Sequence, residues 1–348
     1  MTGTTYFQRV AATTATRVWI NNPTPSEAQA ALAAGAVSCT SNPTYCARML
    51  REDRAEALAA IDACLPASAD DAVVADLVQQ RLLRRIMDLF APVWDPARRS
   101  AGFVSVQGDP RFDTDAEHII REVRAHRGIA PNYLAKIPAT EAGLVAIRFC
   151  LEEDIPVIAT EVFSISQALA VAELHREVLG RTRRRTPLYL THISGIFDDC
   201  LALQARDRGI RIDPDLVRQA GVIVAREQYR ILAARGYEGI VMLGGGARGL
   251  HHFTELVGGT MHVTINPGTM QDLIRLDPPV ADRIHAATPA SVVAELCAAF
   301  PDFRTALVPG AQHREAFAEY APVRHFLAAF IAGWEELLAA IAARRKGA

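Results

Sequence analysis

The stretch NYLAKIPATEAGLVAIRFCLEEDIPVIAT, residues 132–160, carries two periodicities in one run. Its flanks, YLAKI (133–137) and PVIAT (156–160), are short apolar runs of the strand type. Between them TEAGLVAIRFCLEED (140–154) has helical periodicity and opens on Thr140, a residue suited to an N-cap. Strand, helix and strand in that order form the unit of a parallel sheet.

The same alternation extends in both directions. Further strand candidates are RVWIN (17–21), AVSCT (36–40), GFVSVQ (102–107), LYLTHI (188–193), GIVML (239–243) and HVTIN (262–266). DTDAEHIIREVRAH (113–126) and SISQALAVAELHREVL (164–179) read as helices, the second capped by Ser164. Eight strands alternating with helices, and no G-x-G-x-x-G after the first, predict a single (β/α)8 TIM barrel of the α/β class rather than a doubly wound sheet. One domain over 1–348 is expected, with a helical insertion at 45–98 after strand two and a C-terminal helical tail at 311–348. The tail contains FLAAFIAGWEELLAAIAA (326–343), whose apolar face is expected to pack on the barrel or on a second subunit, so a homodimer is possible.

Composition narrows the partners. Half of the residues are hydrophobic and the formal charge is −2, which argues against a nucleic-acid or membrane-surface partner held by bulk charge. No apolar run approaches the roughly 20 residues of a membrane span, and MTGTTYFQRV at the start lacks the layout of a signal peptide. Six cysteines with no C-x-x-C pair suit free thiols in a reducing compartment, so a cytoplasmic protein without a structural zinc site is expected.

In such barrels the chemistry gathers at the C-terminal ends of the strands. Those positions hold Asn21, Asn42, Gln107, Asp109, Lys136, Thr160, Glu161, Thr191, His192, Ser194, Arg248 and Asn266. A rim of amides, hydroxyls and carboxylates suits a polyhydroxylated ligand. It has no metal-ligand spacing; the nearest pair, His251 and His252, reads as the opening of a solvated helix.

Lys136 stands out by composition. Of 37 basic residues only Lys136 and Lys346 are lysines, and Lys136 lies among apolar neighbours. It either snorkels from a strand end to solvent or points into the barrel. In the second case desolvation lowers its pKa and frees an amine nucleophile, which a permanently charged arginine does not supply.

LAKIPATEAGLVAIR resembles the Schiff-base lysine segment of the transaldolase family, K-[IVL]-P-A-T-x-x-G. Three further blocks follow in the family's order. RVWINN…GAVSCTSNPTYC is similar to its opening strand and T-x-N-P-[ST] turn, PVIATEVFSISQALAV to its strand-five block, and VMLGGGARGLHHFTELVGGTMHVTINP to its G-A-S-F-R-N…T-I-[SP]-P ending. The likeness covers roughly residues 15–340. It implies a cytoplasmic transaldolase or aldolase-type enzyme that forms an imine between Lys136 and a ketose or ketose phosphate and transfers a dihydroxyacetone unit, with no metal or organic cofactor. It also implies that Thr160 holds the catalytic water, that Asn42 contacts donor hydroxyls and that Arg248 holds the phosphate.

The departures from the family pattern concern proton transfer and phosphate. Asn21 stands where the family usually has a general-base Asp, and Gln107 where ordinary transaldolases have a relay Glu, although the fructose-6-phosphate aldolase branch also has Gln there. THISGIFDD replaces S-P-F-V-G-R-I, so Ile196 takes the place of a second phosphate-binding arginine, and Gly246 that of a serine. Glu161 replaces an apolar residue; strand alternation turns it toward the helices unless the strand has already ended. His192 is either a proton-transfer group or a hydrogen-bonded rim imidazole, Thr191 and Ser194 are candidate substrate contacts beside it, and Asp109 is expected to be structural. Two alternatives to aldol chemistry remain: a homologue that binds a sugar phosphate or a partner without turnover, and an imine enzyme that isomerises or dehydrates.

Overall fold

In the computed structural model, which describes residues 4–347, eight parallel strands close into a barrel in chain order. They are β1 (Arg17–Asn21), β2 (Cys39–Thr40), β3 (Val104–Val106), β4 (Tyr133–Pro138), β5 (Val157–Thr160), β6 (Leu188–Ile193), β7 (Ile240–Gly245) and β8 (Met261–Ile265). β2 and β3 are shorter than their apolar runs because serine hydroxyls take ladder positions between them. Phe103 N–H donates to Ser38 Oγ at 3.2 Å, and Ser41 N–H to Ser105 Oγ at 3.0 Å.

The barrel interior changes character along every strand. Trp19, Phe103, Leu134, Ile158, Tyr189 and Leu243 form one closed apolar cluster toward the strand starts. Side chains alternate faces, so the same inward face presents, two positions further on, Asn21, Ser105, Lys136, Thr160, Thr191 and Gly245. An apolar plug thus supports a polar layer at the C-terminal mouth.

The helices begin where the sequence signals them. Thr140 Oγ1 accepts from Gly143 N–H at 3.0 Å, and Ser164 forms a capping box with Gln167. The insertion folds as helices Tyr45–Glu52, Arg54–Cys64 and Asp71–Phe90. The last buries Val74, Val78, Leu82 and Ile86 along one face. Two helices that the sequence reading did not separate, Ala290–Ala299 and Pro301–Leu307, precede the tail. The tail itself becomes a long helix only at Ala321, running to Gly347. The expected span 1–348 includes residues 1–3 and 348, which lie outside the described residues.

By length and composition helix Ala321–Gly347 is long and apolar enough to cross a membrane, which corrects the expectation that no run approaches that size. In the fold its face of Phe326, Phe330, Trp334, Leu337 and Ile341 is buried against the rest of the chain. Ion pairs Arg51–Glu336 at 2.6 Å and Arg345–Asp71 at 2.8 Å join it to the insertion. At Gly333 it passes so close that an added Cβ would lie 2.9 Å from Thr44 Cγ2. Burying each of the large apolar side chains contributes about 1.5–3 kcal/mol.

Candidate active site

Lys136 lies on β4, 7 % exposed, with Nζ donating to the Ser41 carbonyl at 3.0 Å. The Phe330 ring from the C-terminal helix stands 5.7 Å from Nζ. Burial lowers the ammonium from its ordinary 10.5 to about 8, against the opposing pull of Glu161, Asp113 and Cys39. Such an amine is partly neutral near physiological pH.

Behind it lies a buried polar group. β5 ends at Thr160, and Glu161 has a left-handed backbone, φ 61°, which releases its side chain from strand alternation. Gln107 Nε2 donates to Glu161 Oε1 at 3.2 Å, and Gln167 Nε2 holds the Glu161 carbonyl at 3.0 Å. Burial pushes the Glu161 carboxyl up to about 7, opposed by the Gln107 bond and by Lys136. Asp113, which the sequence reading passed over, is also buried and is held well above the carboxylate range by burial and then by Glu161 and Glu122. Thr160 Oγ1, Gln107 Oε1 and Thr191 Oγ1 are buried without a partner among the described residues.

In front of Lys136 is a cavity of about 250 Å3 lined by Asn21, Asn22, Thr40, Asn42, Thr44, Thr191 and Thr264 on its polar side. Asn42 Oδ1 accepts from Asn22 Nδ2 at 3.0 Å, Thr44 N–H at 3.0 Å and Thr44 Oγ1 at 2.7 Å. Its oxygen is therefore committed, and its amide N–H groups are left for a ligand hydroxyl. Asn22 also binds the Asn42 N–H, from a left-handed backbone of φ 49° that asparagine tolerates. Thr40 Oγ1 donates to Asn21 Oδ1 at 2.9 Å and lies 2.7 Å from Thr264 Oγ1, so Asn21 likewise offers its amide nitrogen. Sequence reasoning missed Asn22, Thr40, Thr44 and Thr264; the paired Asn-Asn before Pro23 was the available signal for Asn22.

The remaining candidates divide. Thr191 and Arg248 line the cavity; His192 and Ser194 do not. His192 is corrected as a site residue: alternation on β6 puts it on the outer face, between Phe163 and Phe197, with Nδ1–H on the Val162 carbonyl at 2.9 Å. Burial lowers its pKa to about 4, so it stays neutral. Ser194 opens helix Ser194–Arg208 as a buried residue outside the cavity lining. Asp109 is paired with Arg111 at 2.5 Å, and Asn266 caps helix Pro267–Leu276.

Arg248 Nε binds Asp199 Oδ2 at 2.7 Å. Its loop is fixed from beneath by His252, which is buried rather than part of a solvated helix. His252 Nδ1 accepts the N–H groups of Arg248 at 3.1 Å and Gly249 at 3.2 Å. Its proton is therefore on Nε2, which donates to Asp198 Oδ2 at 2.8 Å. Ligand atoms of Asp198, His251 and His252 lie within 4.8 Å of one another, a spacing that a metal ion would accept. With its proton on Nε2, however, His252 has no lone pair facing the group, and the arrangement is a hydrogen-bonded dyad.

The fold and the site define a (β/α)8 barrel with a single buried lysine in a cavity of amides and hydroxyls at its C-terminal mouth. The chain belongs to the transaldolase/fructose-6-phosphate aldolase family: the family model described as Transaldolase/Fructose-6-phosphate aldolase matches residues 18–307. Among similar curated proteins, a Transaldolase of Kocuria rhizophila is 37 % identical over 153 residues, covering 42 % of this chain and 40 % of that protein. A Transaldolase of Thermobifida fusca is 36 % identical over 140 residues, covering 39 % and 38 %. The matched segment thus spans about two fifths of the length of these relatives.

Proposed function

We propose that the protein is a Schiff-base enzyme of the transaldolase type acting on a ketose. The buried Lys136, with its amine brought to about 8 inside a cavity of amides and hydroxyls, carries this reading. Neutral Nζ adds to the ketose carbonyl, and loss of water gives a protonated imine. The C3–C4 bond breaks as the C4 hydroxyl gives up its proton, and the bonding pair moves into the imine to form an enamine. The enamine carbon then attacks an acceptor aldehyde, whose oxygen takes up a proton, and water releases the new ketose and the free amine. Asn42 and Asn21 hold donor hydroxyls through their amide N–H groups. Thr160 and Gln107 orient water, and Glu161, the carboxylate bonded to Gln107, moves protons in place of the acid missing at position 107. The imine itself is the electron sink, so the scheme requires no metal or organic cofactor.

Borohydride added with dihydroxyacetone, fructose or fructose 6-phosphate is expected to fix a reduced adduct on Lys136, read by peptide mass spectrometry. No adduct with any of these donors would sink the proposal. Asn21, in place of a carboxylate at the cavity, favours a second reading, a ketose-binding homologue without turnover; calorimetric binding without a trappable imine would support it.

A further inference from the structure

The part of the cavity beyond Lys136 has a composition that selects among ketoses. Ile193 at the end of β6 and Ile196 in the first turn of helix Ser194–Arg208, with Phe326 and Phe330 from the C-terminal helix, form its apolar wall. Besides Lys136, Arg248 is the only cation among the described lining residues, and its Nε is bound to Asp199 at 2.7 Å. The pair carries no net charge. A phosphate dianion placed there would meet one edge of a half-exposed guanidinium, the Asp199 carboxylate beside it, and apolar side chains. Strong phosphate sites instead offer unpaired cations and several donors.

The apolar wall is built into the backbone. Gly246 has φ +68°, and a Cβ there would lie 2.4 Å from Ile193 Cγ2 and 3.3 Å from Ile196 Cγ1. The two isoleucines therefore fill the space that a hydroxyl-bearing side chain at 246 would need, so the changes at 196 and 246 form one packed unit. The opposite wall keeps the amide N–H groups of Asn21 and Asn42 and the Thr191 hydroxyl for a carbohydrate chain.

We infer that the site takes an unphosphorylated ketose, one whose far end carries hydroxyl or alkyl groups and no phosphate, with Ile196 and the Arg248–Asp199 pair setting that preference. The inference rests on the Schiff-base reading for its chemistry, but it is tested by binding, so the two fail separately.

Calorimetry of the whole protein with fructose and with fructose 6-phosphate gives the ratio of dissociation constants. The phosphate ester is expected to bind no tighter than the free sugar. Ile196→Arg is expected to shift the ratio toward the phosphate ester at least tenfold. Asp199→Asn, which frees Arg248 without filling the cavity, should move it the same way and covers the case in which Ile196→Arg does not fold. Tighter wild-type binding of fructose 6-phosphate than of fructose, or no heat with either sugar, would overturn the inference. Borohydride trapping with dihydroxyacetone, which bears no phosphate, reports on the imine alone.

Discussion

Gln107 donates from Nε2 to Oε1 of Glu161 across 3.2 Å, joining the end of β3 to the end of β5. An amide thus occupies the position that the family resemblance assigns to an acid, and the acid stands beside it, one residue past the end of a different strand. The bond fixes the Glu161 side chain, while burial holds its carboxyl near 7, close to the pH at which a group that both takes and gives protons works best.

Glu161→Gln tests that relationship. The variant keeps the side-chain size and loses the carboxyl proposed to carry protons, so kcat is expected to fall about 100-fold or more. Glu161 is also the largest of the charges that hold the Lys136 ammonium up. Removing its negative charge disfavours the ammonium further, so the rise of kcat/KM with pH should move to lower pH than in the wild type. In the wild type the pair as a unit titrates between about 7 and about 8, and the rise should fall there. A rate profile with an unmoved midpoint would separate Glu161 from the lysine.

Asn21→Asp restores a carboxylate at the cavity. Thr40 Oγ1 already donates to the Asn21 side-chain oxygen at 2.9 Å and would hold one carboxylate oxygen, leaving the other for the C4 hydroxyl. Cleavage of a ketose, followed by release of the aldehyde, is expected to speed up on the order of 10-fold. An unchanged or lower rate would mean that proton removal at this position does not limit turnover.

Much of this site is readable in the sequence, and the exceptions have physical causes. Lys136 is conspicuous because lysine is so rare in the chain, and β4 is six residues long with its inward face set by Leu134 in the plug. The same alternation, anchored at Tyr189, sends Thr191 inward and His192 outward, which favours the hydrogen-bonded imidazole over the proton-transfer group, a choice the sequence alone leaves open for want of that anchor. Glu161 depends on a single backbone angle of +61°, a conformation that sequence pattern does not specify for glutamate. Phe326 and Phe330 reach the cavity only because the C-terminal helix crosses the barrel mouth, a long-range packing event with no local signature. β2 and β3 are short because their register is fixed by serine hydroxyls that an apolar-run reading overlooks.

The Asp198–His252 dyad makes a prediction about hydrogen placement. Both Asp198 oxygens accept, Oδ1 from Gly221 N–H at 2.7 Å and Oδ2 from His252 Nε2 at 2.8 Å. Asp198→Asn would turn an NH2 group toward one of those N–H donors and is expected to cost about 1–3 kcal/mol in urea unfolding. His252→Ala strips the partners from two backbone N–H groups and from Asp198 and should cost at least as much. If Asp198→Asn is tolerated without loss, the proton is not on Nε2.

Lys136→Met examines the cost of keeping an ammonium in the barrel. The group's folded pKa, about 8, lies below its ordinary 10.5, so the unfolded chain binds the proton more tightly. Below pH 8 both states are protonated and the folded protein bears the whole penalty; between 8 and 10.5 the folded state sheds its proton first, and wild-type stability from this group rises. Methionine fills a similar volume without a charge. At pH 7 the variant should be more stable than wild type by on the order of 1–3 kcal/mol, partly offset because Glu161 loses its cation and keeps its proton to higher pH. Urea unfolding at pH 7 and pH 10 should show that advantage shrinking as pH rises. An advantage that grew toward pH 10 would reverse the sign of the lysine shift, and with it the argument that burial makes Lys136 a nucleophile.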